Sequence, residues 1–135
     1  MIADRYRDEF GNNIAVIGAS SNRDRYSNKA VRALLGAGYN VYPVHPKESE
    51  IEGLQVYTDL KSIDGVIDLA SVYLNPQLVL RSGPVGQLRD RSVKAVILNP
   101  GIQDPALIAE LESSGITVLQ ECTIVNGLGR SPAEF

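Results

Sequence analysis

The stretch Ile14-Ala15-Val16-Ile17-Gly18-Ala19-Ser20-Ser21-Asn22 decides the fold. Four consecutive apolar residues running into a glycine read as a short buried strand. A polar loop from Ser20 to Tyr26 follows, and Ser27 or Asn28 is placed to cap a helix through its side-chain oxygen. Ala30, Val31, Leu34 and Leu35 then recur at helical spacing, and Gly36-Ala37-Gly38 ends the helix. Strand, glycine turn and helix together are the opening unit of an open parallel sheet.

The rest of the chain repeats that unit. Val41-Tyr42-Pro43-Val44 is a second strand, and its proline assigns it to a sheet edge or an irregular strand end. Val66 to Val72 is a third. Pro76 to Leu80 is helical, and Gly83-Pro84 predicts a kink or two short helices. Ala95-Val96-Ile97-Leu98 is a fourth strand. Asp104 caps a helix with Pro105 in its first turn, and Ala106, Leu107, Ile108 and Leu111 face the core. Ile116-Thr117-Val118-Leu119 is the fifth strand. The fold class is therefore α/β: a Rossmann-like three-layer sandwich around a five-stranded, mostly parallel sheet.

At 135 residues the chain is expected to form a single domain, with a core over residues 12–125. Residues 1–11 read as a polar arm anchored by Ile2, Tyr6 and Phe10, and residues 126–135 as a loosely ordered tail with a last turn at Pro132-Ala133-Glu134. The composition is globular, with 44% hydrophobic and 21% charged residues. No apolar run approaches the ~20 residues of a bilayer span. The first ten residues lack the apolar core of a secretory signal, so a cytoplasmic location is expected. The net charge of -3 and an isoelectric point near 5.1 argue against nucleic acid as a partner. One cysteine and one histidine exclude an internal disulfide and the usual multi-histidine or multi-cysteine metal sites.

In such sheets ligands bind outside the carboxyl ends of the strands, where strand order reverses. Gly18-Ala19-Ser20, Val44-His45-Pro46-Lys47, Tyr73-Leu74-Asn75, Asn99-Pro100-Gly101 and Gln120-Glu121-Cys122 all fall at that edge. A glycine directly after the first strand lets backbone approach a ligand, and the start of the next helix favours a phosphate. The dinucleotide fingerprint G-x-G-x-x-G is absent, because Ser20 stands where its second glycine would be. A plain strand-to-helix turn is the alternative reading of this loop. An NAD site places an acid at the tip of the second strand to hold the ribose diol. Here the tip carries His45 and Lys47, with no acid before Glu48. That pair suits a phosphorylated ribose, as in coenzyme A or NADP. Arg23, Arg25 and Lys29 add positive charge nearby.

Gly18-Ala19-Ser20-Ser21, Val41 to Lys47 and Asn99-Pro100-Gly101, in that order, resemble the small stand-alone coenzyme A-binding proteins, which are similar to the N-terminal domain of the succinate–CoA ligase alpha subunit. The resemblance implies coenzyme A or acyl-CoA bound along the carboxyl edge. It implies contacts at Gly18, Ala19, Ser20, Arg25 and Ser27; at Val44, His45, Pro46 and Lys47; at Tyr73, Leu74 and Asn75; and at Pro100 and Gly101. In the ligase a phosphorylated histidine from a further domain carries the chemistry, and His45 does not match it.

No paired carboxylates, nucleophile–base pair or metal cluster is visible in the sequence. The leading expectation is thus non-catalytic binding of a small nucleotide ligand, as a carrier or sensor. The alternatives are an NADP-dependent enzyme, with Tyr73 as its proton donor, or the CoA-binding subunit of a ligase-like complex. A protein–protein module with a vestigial crevice is a third reading. A protein partner stays open but is not indicated. Cys122 follows the fifth strand at the ligand edge. A buried, inert thiol is preferred there over one that forms a mixed disulfide with the coenzyme.

Overall fold

The computed structural model describes residues 5–81 and 84–135. Ile2 and Gly83, which the sequence reading singles out, lie outside them. A short helix α1 (Arg5–Glu9) leads into β1 (Asn13–Ile17), α2 (Tyr26–Gly36) and β2 (Asn40–Val44). A two-stranded hairpin, β3 (Glu50–Ile51) and β4 (Leu54–Gln55), and a 3-10 turn at Leu60–Ser62 precede β5 (Leu69–Val72). Then come α3 (Pro76–Arg81), α4 (Pro84–Asp90), β6 (Ala95–Leu98), α5 (Pro105–Ser113) and β7 (Thr117–Gln120). A π-helical turn (Thr123–Gly127) and a 3-10 turn (Pro132–Glu134) finish the chain.

Five strands form one parallel sheet in the order β2-β1-β5-β6-β7. The expected Rossmann-like architecture is what the chain adopts. Strand order reverses at β1, which lies between β2 and β5, so the crevice opens above the first glycine loop. β2 is an edge strand, as its proline requires. Pro43 has no N–H to give, and its carbonyl accepts from Tyr57 N at 2.9 Å. His45 N donates to Tyr57 O at 3.0 Å, so the segment after the hairpin covers this edge and fixes the strand tip.

Alternate residues of β1 feed opposite faces. Ile14 and Val16 pack with Ala30, Val31, Leu34 and Tyr6 on one side. Ala15 and Ile17 pack with Val72, Val79, Leu88 and Leu107 on the other. No helix among the described residues is long and apolar enough to cross a membrane.

Several expectations need correction. Ser27 and Asn28 do not cap α2. The cap position is Arg25, which makes no side-chain capping bond, and both residues lie buried inside the first turn. Asn28 Nδ2 instead donates back to Ser20 O at 2.8 Å. The third strand begins at Leu69 rather than Val66, whose side chain is exposed. The fifth strand is shifted by one residue and is only half-buried, being the other edge. Ala106 is exposed, while Leu107 and Leu111 are buried.

Residues 5–9 of the arm form α1, which is anchored to the sheet end. Tyr6 is fully buried and its hydroxyl donates to Glu121 Oε2 at 2.7 Å, while Arg5 pairs with the same carboxylate. The tail is also tied down. Leu128 is buried, Arg32 Nη1 donates to Phe135 O at 3.1 Å, and Ser131 and Glu134 form a reciprocal capping box on the last turn. Of the kink or two short helices expected from Gly83-Pro84, the chain has two helices, α3 and α4, and Asp104 Oδ2 caps α5 by accepting from Leu107 N at 3.0 Å.

Candidate functional site

The carboxyl ends of β2, β1 and β5 enclose a cleft of about 660 Å³. Its floor is the glycine loop. Gly18 has φ +85, and a Cβ there would sit 3.1 Å from both the Tyr73 carbonyl carbon and Leu74 Cδ2. Only glycine meets both demands without displacing the β5 loop. Gly18 N and Ala19 N donate to Val44 O at 3.1 and 3.2 Å, which locks the loop to the tip of β2 but spends those amides. Ser21 N donates to Glu48 Oε2 at 3.1 Å. Hydrogen bonding from Ser21 holds the Glu48 carboxyl below its ordinary value, with His45 contributing.

The donors left for an anion are therefore specific. Ser20 Oγ accepts from Asn22 N at 3.1 Å and keeps its own proton to give. The first amides of α2 face the loop without a side-chain cap. Arg25, exposed at the cap position, lines the same cleft. These groups fit a phosphate or pyrophosphate.

At the tip of β2, His45 Nδ1 accepts from Lys47 N and Glu48 N, both at 3.0 Å. The ring proton is thereby placed on Nε2, which lies 3.8 Å from Glu48 Oε2. The lone pair is engaged in shaping the loop and is not free to act as a base.

Nine of the fourteen expected contacts line this cleft: Gly18, Ala19, Ser20, Arg25, Val44, His45, Pro46, Tyr73 and Leu74. Lys47 is exposed on the same loop but outside the cleft wall. Ser27 is buried within α2. Asn75 caps α3, accepting from Gln77 N at 2.8 Å. Pro100 lines a neighbouring cavity instead, together with Cys122, and Gly101 lines neither. Cys122 is half-buried, not enclosed in the core.

The far wall was missed. Thr58, Asp59 and Leu60, with Leu78 from α3 and Gln87 from α4, complete the cleft. Gln87 Oε1 accepts from Leu60 N at 2.9 Å, and Asp59 Oδ1 accepts from Ser62 N at 3.0 Å. The Asp59-to-Ser62 spacing is a capping signal that could have marked this turn. Among the described residues no three His, Cys, Asp or Glu side chains gather as metal ligands would.

A family model described as a CoA binding domain matches residues 12–127. The chain belongs to that CoA-binding domain family. A Bacillus subtilis relative, uncharacterized protein YneT, is 29% identical over 111 residues, covering 82% of this chain and 81% of its own length. The alpha subunit of the ADP-forming acetate–CoA ligase II of Pyrococcus furiosus is 31% identical over 86 residues. That match covers 63% of this chain but only 18% of the ligase subunit. The CoA-binding domain family is thus related to ligase subunits, and the chain spans under a fifth of this one. Among solved structures, a hypothetical protein from Pyrococcus horikoshii shares 25% identity with a TM-score of 0.81, over 89% of this chain and 83% of that one.

Behind the cleft lies a buried polar knot. Asn99 Nδ2 donates to Ser71 Oγ and Val72 O at 3.0 and 2.9 Å, and its Oδ1 accepts from Thr123 N and Thr123 Oγ1, both at 3.0 Å. Ser71 Oγ and Thr123 Oγ1 are 2.8 Å apart. This side-chain set stitches together the carboxyl ends of β5, β6 and β7. Burial holds the Tyr73 hydroxyl above its ordinary value, with the neighbouring Ser71 and Thr123 hydroxyls pulling partly the other way.

Proposed function

We propose that the chain binds coenzyme A or an acyl-CoA in the cleft and does no chemistry on it, serving as a carrier or sensor. The observation that carries this reading is the cleft at the β1 switch point, where the uncapped start of α2, Ser20 and Arg25 converge. Membership of the CoA-binding domain family selects the coenzyme among phosphate-bearing ligands. In this reading Ser20, Arg25 and the α2 amides take the pyrophosphate. His45 and Lys47 serve the ribose-phosphate end, Lys47 swinging in from the exposed loop. Val44, Pro46 and Leu74 supply apolar walls. The non-catalytic part is supported at two residues: the His45 lone pair is engaged by Lys47 N and Glu48 N, and burial holds the Tyr73 hydroxyl above its ordinary value.

Thermal shift followed by calorimetry with coenzyme A, 3′-dephospho-CoA, NAD and NADP tests the reading. Coenzyme A at 100 times its dissociation constant is expected to stabilise by about 2.7 kcal/mol, with dephospho-CoA weaker. A response to NAD or NADP alone would overturn it. The similarity to a ligase alpha subunit favours one second reading, a CoA-binding part of a ligase-like assembly. Copurification with a partner that forms an acyl-CoA only when this chain is present would establish that instead.

A further inference from the structure

Next to the cleft lies a second cavity of about 470 Å³, and the two share Tyr73. Its walls come from the start of α2 (Tyr26), the loop after β6 (Pro100 and Ile102) and the turn after β7 (Cys122 and Val125), with Pro132 of the tail against one side. Among the described residues no charged side chain lines it. Asn99 is its one amide, and both ends of that amide are already spent on Ser71, Val72 and Thr123. The Tyr73 hydroxyl lies near Ser71 and Thr123. The lining is therefore mainly apolar, with the Tyr26 and Tyr73 hydroxyls and the Cys122 thiol as its other polar groups.

Its rim is also where apolar surface is left open. Tyr26 is 59% and Val125 47% exposed, and Leu78 of the adjoining cleft is 52% exposed. Three of the four large apolar side chains exposed among the described residues thus border these two connected spaces, which marks the edge as a binding surface rather than scattered exposure. The volume far exceeds the about 30 Å³ of a single water, and a pocket lined mainly by apolar side chains favours an apolar occupant.

We infer that this second cavity receives the apolar acyl group of an acyl-CoA whose nucleotide occupies the neighbouring cleft. The inference rests on the proposed coenzyme site and adds the class of thioester carried: straight or branched apolar acyl chains. A dicarboxylic acyl group is disfavoured, because its free carboxylate would lose water in a cavity lined by no charged side chain among the described residues.

The test is calorimetry on the full chain with coenzyme A and its acetyl, butyryl, hexanoyl and succinyl thioesters. Each fully buried methylene is worth about fourfold in affinity. Hexanoyl-CoA is expected to bind at least about tenfold more tightly than acetyl-CoA, and succinyl-CoA no more tightly than coenzyme A. In Val125→Asp the ratio of hexanoyl-CoA to coenzyme A affinity should collapse towards one. Cys122, the single cysteine of the chain, gives an independent readout. Its alkylation by iodoacetamide should be slowed more by hexanoyl-CoA than by coenzyme A. Coenzyme A binding with no dependence on chain length would overturn this inference and leave the proposed function standing. Absence of saturable binding by coenzyme A and every thioester would overturn both.

Discussion

Replacing Asn99 by alanine should destabilise the protein by about 3 kcal/mol. Asn99 is 3% exposed and makes four hydrogen bonds. In Asn99→Ala the Ser71 and Thr123 hydroxyls still have each other at 2.8 Å, so they are not both stranded. The Thr123 N–H loses its acceptor in a buried site, at a cost of about 2 kcal/mol, and the bonds to Val72 O and Thr123 Oγ1 each contribute about 0.5 kcal/mol. For a chain of this size the sum corresponds to a melting point lowered by about 10 °C. Urea unfolding checks it. The midpoint should fall by about 1.5 M at an unchanged slope of roughly 2 kcal/mol per M. Ser71→Ala, which keeps both Asn99–Thr123 bonds, should cost only about 1 kcal/mol. An Asn99→Ala variant within about 0.5 kcal/mol of wild type would refute the reasoning, because the strand ends would not then depend on this knot.

Three further outcomes follow from the same structure. Gly127→Ala would place its Cβ 2.0 Å from Tyr6 Cε2, so the buried ring must leave; proteolysis near residues 5–12 should accelerate several-fold while the sheet stays folded. Glu121 is partly buried, which alone would raise its pKa, but hydrogen bonds from Arg5 and Tyr6 outweigh burial and hold it below 4.5. A depressed carboxylate stabilises the fold above its unfolded pKa and stops doing so as pH falls through the folded value. The stability advantage of wild type over Glu121→Gln should therefore be complete above about pH 5 and fade below about pH 4 in thermal melts. Arg25→Ala should weaken coenzyme A about tenfold and flatten the salt dependence of binding in calorimetry, with little change in melting point; an unchanged affinity would remove Arg25 from the site.

What could be read in the sequence was whatever local pattern determines. Apolar runs of four gave β1 and β6, the proline of β2 gave an edge, and Asp104-Pro105 gave the start of α5. The glycine loop and the β2 tip could be placed because both follow a strand directly. What escaped depends on partners distant in sequence. α1 is five residues long with one buried side chain, and the acceptor for its Tyr6 hydroxyl is Glu121, 115 residues away. The hairpin strands are two residues each, too short for any alternation to register. The far wall of the cleft forms only when Gln87 meets Leu60. Asn99 stands in a loop sequence, where an asparagine reads as a turn residue until Ser71 and Thr123 are brought against it.

The measurement that tests the central claim most directly is amide chemical-shift mapping during a coenzyme A titration. The account predicts saturable shifts concentrated at Gly18 to Ser21, Arg25 to Asn28, His45 to Lys47 and Tyr73-Leu74, with the amino edge of the sheet unmoved. Saturable shifts centred elsewhere, or none up to millimolar coenzyme A, would contradict it.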